Sequence, residues 1–168
     1  NFSRAGSSAD FVDSDVNKLL NDTLQLLEPQ LRKSNIEIIK DYETELPEIT
    51  GNAGKLQQVF TNLILNARDA MFGGGSITLR TFAADENTVV VEVVDSGEGI
   101  PDENLSKIFD PFFTTKGVGN GTGLGLAVTY GIVQEHAGSI EATSDGRNGS
   151  TFRITFPAAS AIRRRAVS

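Results

Sequence analysis

The chain has no cysteine, and among its 168 residues there is only one histidine. Without cysteine there is no disulfide and no thiolate metal site. The cysteine-dense frameworks of small secreted domains are excluded, and a cytosolic setting is mildly favoured. Positive charge is scarce too. The formal net charge of -7 argues against a nucleic-acid binder, whose affinity rests on neutralising phosphates. The only basic cluster, Arg163-Arg164-Arg165, reads as a solvated end of the chain. No apolar run approaches the ~20 residues needed to cross a bilayer, the first residues lack a secretory leader pattern, and no direct membrane contact is expected.

What is present fits one soluble domain with a full core. Glycine is plentiful and uneven: of 17, seven fall between Gly97 and Gly125. Residues 1–9 read as a loose lead-in. Asp15 to Lys33 reads as an amphipathic helix with Val16, Leu19, Leu20, Thr23, Leu27 and Leu31 on one stripe, capped by Asp13 or Ser14. Pro29 is expected to kink or shorten it. Ile36 to Tyr42 alternates as a strand, and residues 46–50 as a turn with a short extended piece. Asn52 caps a second helix to about Met71, closed by Gly73-Gly74-Gly75. Ser76–Ala83 and Thr88–Asp95 form an antiparallel hairpin; Pro101 to Ile108 is a short helix; Phe109 to Thr122 is a long loop. A helix over 123–137 and a last hairpin, Ser139–Ser144 with Thr151–Phe156, complete the pattern. The expected fold is an α+β, two-layer sandwich: a mixed, mostly antiparallel sheet with helices on one face. Strict β-α alternation is missing, which excludes a Rossmann arrangement.

Three stretches carry chemistry. The run Val89 to Val94 ends in Asp95, in phase with Val89, Val91 and Val93, so its carboxylate points to the apolar side and needs a donor. Gly97 and Gly99 behind it permit close approach of something flat or bulky. On the second helix Lys55, Gln58, Asn62, Asn66 and Asp69 are spaced by three or four and share one side. Asparagine is a poor helix-interior residue, so two of them one turn apart point to a site. Amide and carboxylate oxygens are hard ligands that suit Mg²⁺ carrying substrate phosphates. Finally, Gly117, Gly119, Gly121, Gly123 and Gly125 alternate directly into a helix, where free N–H groups favour an anion. Neither a Walker nor a Rossmann pattern fits this loop.

Taken in order, Asn62-Leu-Ile-Leu-Asn66-Ala-Arg-Asp69, Asp95-Ser-Gly97-Glu-Gly99-Ile100, Phe109-Asp-Pro-Phe112-Phe113-Thr-Thr-Lys116 and Gly119-Asn-Gly121-Thr-Gly123-Leu-Gly125-Leu resemble the catalytic ATP-binding domain of sensor histidine kinases. Their Bergerat fold is shared with gyrase B, Hsp90 and MutL, and the Asp-Pro-Phe-Phe-Thr-Thr-Lys element resembles the nitrogen-regulation branch. The resemblance as a whole covers about residues 14–157. It implies residues 1–13 as the remnant of a connector from an upstream dimerisation and phosphoacceptor domain, 14–157 as the ATP-binding domain, and 158–168 as a flexible tail.

The resemblance also implies ATP and Mg²⁺ as cofactors. Asn66 would hold the metal, with Asn62 and Asp69 in support, and Asn62, Asn66 and Lys116 would be the catalytic set. Asp95 would accept the adenine amino group, with Gly97, Gly99 and Ile100 beside the base. A lid would start at Phe109 and carry Lys116, while Gly121, Thr122, Gly123, Leu124 and Gly125 cradle the phosphates. Thr151 matches a threonine near adenine, although regular alternation faces it away from Phe152, so a bulge is expected. Gyrase-like hydrolases carry a glutamate base where this chain has Asn62, and an amide cannot be that base. The implied activity is therefore phosphoryl transfer to a histidine on a separate dimerisation domain, for relay to a response regulator, in the cytoplasm. His136 reads as structural. Two other readings use the same residues. A stand-alone serine kinase of the anti-sigma type is disfavoured by the leading helix and the Asp-Pro-Phe-Phe element. A regulatory nucleotide-binding module without catalysis is disfavoured because every matched polar position is filled.

Overall fold

The computed structural model describes residues 10–111, 113 and 125–167, with side chains to Arg163. In chain order the elements are β1 (Val12–Ser14), α1 (Val16–Lys33), β2 (Ile36–Tyr42), β3 (Ile49–Gly51), α2 (Ala53–Asp69), β4 (Gly75–Asp85), β5 (Thr88–Asp95), α3 (Asp102–Leu105), α4 (Gly125–Glu135), β6 (Ser139–Ser144), β7 (Ser150–Pro157) and α5 (Ala159–Val167). Five strands form one sheet in the order β2-β4-β5-β7-β6, with β2 parallel to β4 and the other pairs antiparallel. β1 and β3 form a separate antiparallel pair.

Helix α1 starts where Asp15 accepts the Lys18 N–H at 3.1 Å. The cap expected at Asp13 or Ser14 is displaced because both residues are taken up in β1. Pro29 does not shorten the helix. Leu31, on the turn after it, is buried, and that docking holds the last turn to Lys33. Asn52 caps α2 as its residue type and position predict, accepting from the Lys55 N–H.

β5 lies in the middle of the sheet, which explains its valines. Val89, Val91 and Val93 face the helices and are fully buried, together with Phe152, Ile154 and Phe156 of β7. On the opposite face Val90 is buried as well, while Glu92 sits directly across from Arg80 and Arg153. Its two carboxylate oxygens accept from Arg80 Nη1 at 2.7 Å and Arg153 Nε at 2.9 Å. A buried carboxylate needs such donors, and the central strand position supplies one from each neighbour.

The chain does not loosen after Pro157, contrary to the flexible tail expected there. Ala158 bridges to Ile49 and donates to Asn87 O; Ala159 donates to Glu48 O; and α5 follows. Ala158, Ala159 and Ala161 are buried because small side chains let this helix sit close to β3. Arg163 pairs with Asp13 at 2.9 Å, so residues 12 and 13, expected to be linker, are also tied into the fold.

Candidate functional site

Alternation along β5 carries Asp95 under the helical layer, where it is 4% exposed. Its Oδ1 accepts the Gly97 N–H at 2.9 Å and its Oδ2 accepts the Ser150 hydroxyl at 2.6 Å. Ser150 stands opposite Asp95 in the β5–β7 register and is buried. It lines a pocket together with Asn66 and Ala70 of α2, the 98–101 loop, Asn104, Ile108, Phe113, Leu126 and Phe152. The carboxylate thus sits behind Ser150. A hydroxyl has two acceptor positions, so Ser150, with its proton held by Asp95, keeps acceptor capacity for a pocket with apolar walls.

This register overturns the expectation for Thr151. β7 pairs regularly with β5 and no bulge intervenes, so Thr151 faces the opposite side of the sheet, paired with Val94 and Thr143. Ser150 takes the place expected of it. The signal was present: with Asp95 on the inner face, the inward residue of a neighbouring strand must share the parity of Phe152.

The two glycines meet different neighbours. A Cβ on Gly97 would come within 2.4 Å of the Ala70 carbonyl oxygen, and Glu98 N–H donates to that same oxygen at 3.2 Å. Gly97 therefore clears space for the end of α2. Gly99, at φ +82°, would place a Cβ 2.7 Å from Arg147 N while its backbone still lines the pocket with Ile100.

The polar stripe of α2 divides in two. Its amino-terminal part docks α4: Lys55 Nζ pairs with Glu135 at 3.0 Å, and Asn62 Nδ2 donates to Gly125 O at 3.1 Å and Thr129 Oγ1 at 3.2 Å. His136, just past α4, accepts the Asn52 N–H at Nε2 (3.1 Å), and its Nδ1 donates to Ile132 O (2.8 Å). That pattern assigns the neutral tautomer with the proton on Nδ1. The ring stacks on Phe11 and meets Phe156 edge-on. Burial lowers its pKa, outweighing the opposing hydrogen bond to Ile132. His136 is therefore structural, with both nitrogens committed. Only Asn66 turns to the pocket, half-buried, and it makes no side-chain hydrogen bond among the described residues. Asp69 Oδ1 accepts from Arg68 Nε and Nη2, and Arg68 reaches Gln30 of α1.

Phe109 packs between Tyr130 of α4 and Phe152 of β7, anchoring the segment that leaves the pocket. Gly125 opens α4, and a Cβ there would meet nothing within 4 Å. The expectations for Lys116, Gly121, Thr122, Gly123 and Leu124 lie outside the described residues. Among the described residues no cluster of three or more His, Asp or Glu gathers as a metal site. The fit to Mg²⁺ rests on the Asn66 amide oxygen at the pocket wall, since this ion takes few protein ligands and keeps water and phosphate oxygens.

Comparison with known proteins places this geometry. Residues 51–160 match the family described as histidine kinase-, DNA gyrase B-, and HSP90-like ATPase. The sensor kinase CckA of Brucella abortus (strain 2308) is 45% identical over 80% of this chain and 16% of its own length. The sensory histidine kinase/phosphatase NtrB of Rhodobacter capsulatus is 43% identical over 73% of this chain and 37% of its own. The chain thus spans well under half of these relatives, and the nitrogen-regulation branch is one of several similar ones. Among solved structures, the catalytic domain of histidine kinase ThkA matches with a TM-score of 0.79 at 34% identity, covering 89% of this chain and 96% of that one. Full-length ShkA in complex with AMPPNP matches at 0.80 and 28% identity, covering 94% and 34%. ThkA in complex with the response regulator TrrA matches at 0.75 and 32%, covering 89% and 42%. This chain belongs to the histidine kinase-, DNA gyrase B-, and HSP90-like ATPase family.

Proposed function

We propose that the chain is the ATP-binding catalytic domain of a two-component sensor histidine kinase, which passes the ATP γ-phosphoryl to a histidine outside these residues. The observation that carries this is the buried Asp95–Ser150 pair behind an apolar pocket that Asn66 also lines. Acceptors in an apolar slot suit a flat heterocycle bearing an amino group, and the family resemblance makes that the adenine edge. Asp95 and Ser150 accept from the base, Gly99 and Ile100 lie beside it, and Phe109 holds the start of the lid. Asn66 would hold Mg²⁺, whose chemistry is to neutralise charge on the phosphates. By family resemblance Lys116 and residues 121–125 would contact the phosphates.

The committed amide of Asn62 supports transfer over hydrolysis. It donates into the start of α4 and offers no base for water. His136 cannot accept the phosphoryl group while buried with both nitrogens bonded, so the acceptor is another histidine, on a separate dimerisation domain. Positioning and charge neutralisation then supply most of the catalysis. ShkA in complex with AMPPNP and ThkA in complex with a response regulator support ATP as donor and a response regulator as the next partner. A cytoplasmic location follows from the use of ATP.

Titration with ATP in the presence of Mg²⁺ should show saturable binding. Adding a histidine-bearing dimerisation domain should yield an acid-labile phosphoprotein. Folded protein with no ATP affinity would refute the reading, and an acid-stable phosphoserine product would favour the anti-sigma type.

A further inference from the structure

The turn joining β6 to β7 reads in sequence as a plain hairpin connection. In the structure it interlocks with the loop after β5. A Cβ on Gly99 would meet Arg147 N at 2.7 Å, Gly146 C at 2.8 Å and Ser144 Oγ at 2.9 Å. A Cβ on Gly149 would lie 2.1 Å from Asp95 O. Both glycines have positive φ, +82° and +85°, so neither conformation nor space admits another residue easily.

At the centre of this contact lies the half-buried hydroxyl of Ser144. It accepts the Ile100 N–H at 2.9 Å and the Gly146 N–H at 3.1 Å, and it donates to Gly149 O at 2.8 Å. One donor and two acceptor positions are the whole capacity of a hydroxyl, and all three are filled. The turn is ordered independently by Asp145, whose Oδ1 accepts the Arg147 and Asn148 N–H groups, each at 2.8 Å. Ser144 therefore connects two preformed pieces. One carries Gly99 and Ile100, which line the pocket; the other leads through Gly149 into Ser150, which bonds Asp95.

We infer that Ser144 is a positioning residue for the nucleotide: its hydroxyl sets the wall of Gly99 and Ile100 against the Asp95–Ser150 pair, so that the base meets a preformed slot. The inference rests on the adenine reading of that pocket. Without the hydroxyl the loop and turn separate, and binding must reorder them.

The test compares Ser144→Ala with Ser144→Thr, which keeps a hydroxyl, and with Thr23→Ala, which removes a buried hydroxyl bonded to Leu19 O inside α1, far along the chain. Calorimetric titrations use ATP and ADP with Mg²⁺ on folded protein, and amide exchange is followed at Ile100 and Gly146. Ser144→Ala should weaken ATP and ADP by the same factor, about tenfold, which corresponds to about 1.4 kcal/mol, because the wall faces the base and not the phosphates. Exchange at Ile100 and Gly146 should quicken. Ser144→Thr should restore affinity, and Thr23→Ala should lower stability with affinity unchanged. Should alanine at 144 prevent folding, Ser144→Cys carries the same test, since a thiol is a weak donor and acceptor. Affinity within about twofold of wild type in folded Ser144→Ala or Ser144→Cys, or equal loss in Thr23→Ala, would overturn the inference. A wild-type protein that binds neither nucleotide overturns the adenine reading instead.

Discussion

Replacing Asp95 by asparagine reverses the hydrogen bond to Ser150 behind the pocket wall while hardly changing its shape. The Gly97 N–H at 2.9 Å requires an acceptor, so the new amide oxygen must take the Oδ1 position and the amide NH₂ must face Ser150. The Ser150 hydroxyl then turns from donor to acceptor and directs its proton elsewhere. Folding exchanges charge-assisted hydrogen bonds for neutral ones, a loss of about 1 kcal/mol, which lowers the melting temperature by about 3 °C for a domain of this size. The base loses more. The Ser150 oxygen that faced its amino group now takes the asparagine NH₂ and turns its own proton outward, leaving donor against donor in a desolvated slot at a cost of about 3 kcal/mol. That is a loss of about two orders of magnitude in ATP affinity. Calorimetric titration beside thermal melts of the same samples separates the two effects. An affinity loss below about threefold, or one explained by the unfolded fraction, would show that the amino group is not read at Asp95 and Ser150.

Because burial lowers the His136 pKa, its neutral form stabilises the fold. That stability is complete above the unfolded value of about 6.5 and is lost as pH falls from there toward the folded pKa, at up to about 1.4 kcal/mol per pH unit. Urea titrations between about pH 7 and 5 should show this slope in the wild type and a smaller one in His136→Gln. The Tyr42 hydroxyl is buried without a partner among the described residues, and burial pushes its pKa up to about 12. Tyr42→Phe should therefore be neutral or stabilising by up to about 1 kcal/mol in the urea midpoint, and a clear destabilisation would reveal an unseen partner. Gly149→Ala combines φ +85° with a Cβ 2.1 Å from Asp95 O. It should cost at least about 2 kcal/mol and weaken ATP together with stability; a thermal melt unchanged from wild type would contradict the close approach.

Much of the architecture is legible because it is local. The cap at Asn52 acts on an N–H three residues away, and the valines of β5 declare a central strand within one element. The strand limits Ile36–Tyr42, Thr88–Asp95 and Ser139–Ser144 follow from alternation and flanking turn residues. The four ordered motifs likewise identify the family, since residue type and spacing are sequence properties. Residue type and spacing therefore suffice for the fold class, the family and the inward orientation of Asp95.

Tertiary structure decided what each of those residues touches. Asp95 and Ser150 are 55 residues apart and Asn52 and His136 are 84 apart, so no periodicity within an element relates them. Only the β5–β7 register shows that Ser150, and not Thr151, meets the carboxylate. Only the packing of α4 on α2 turns Asn62 and Lys55 into docking contacts and leaves Asn66 to the pocket. Gly97 and Gly99 read in sequence as room for a close partner, and the run after Pro157 as a flexible tail, yet each is set against distant backbone. Such contacts form only when α2, β3 and the β6–β7 turn are already in place, and that long-range geometry is what sequence spacing does not encode.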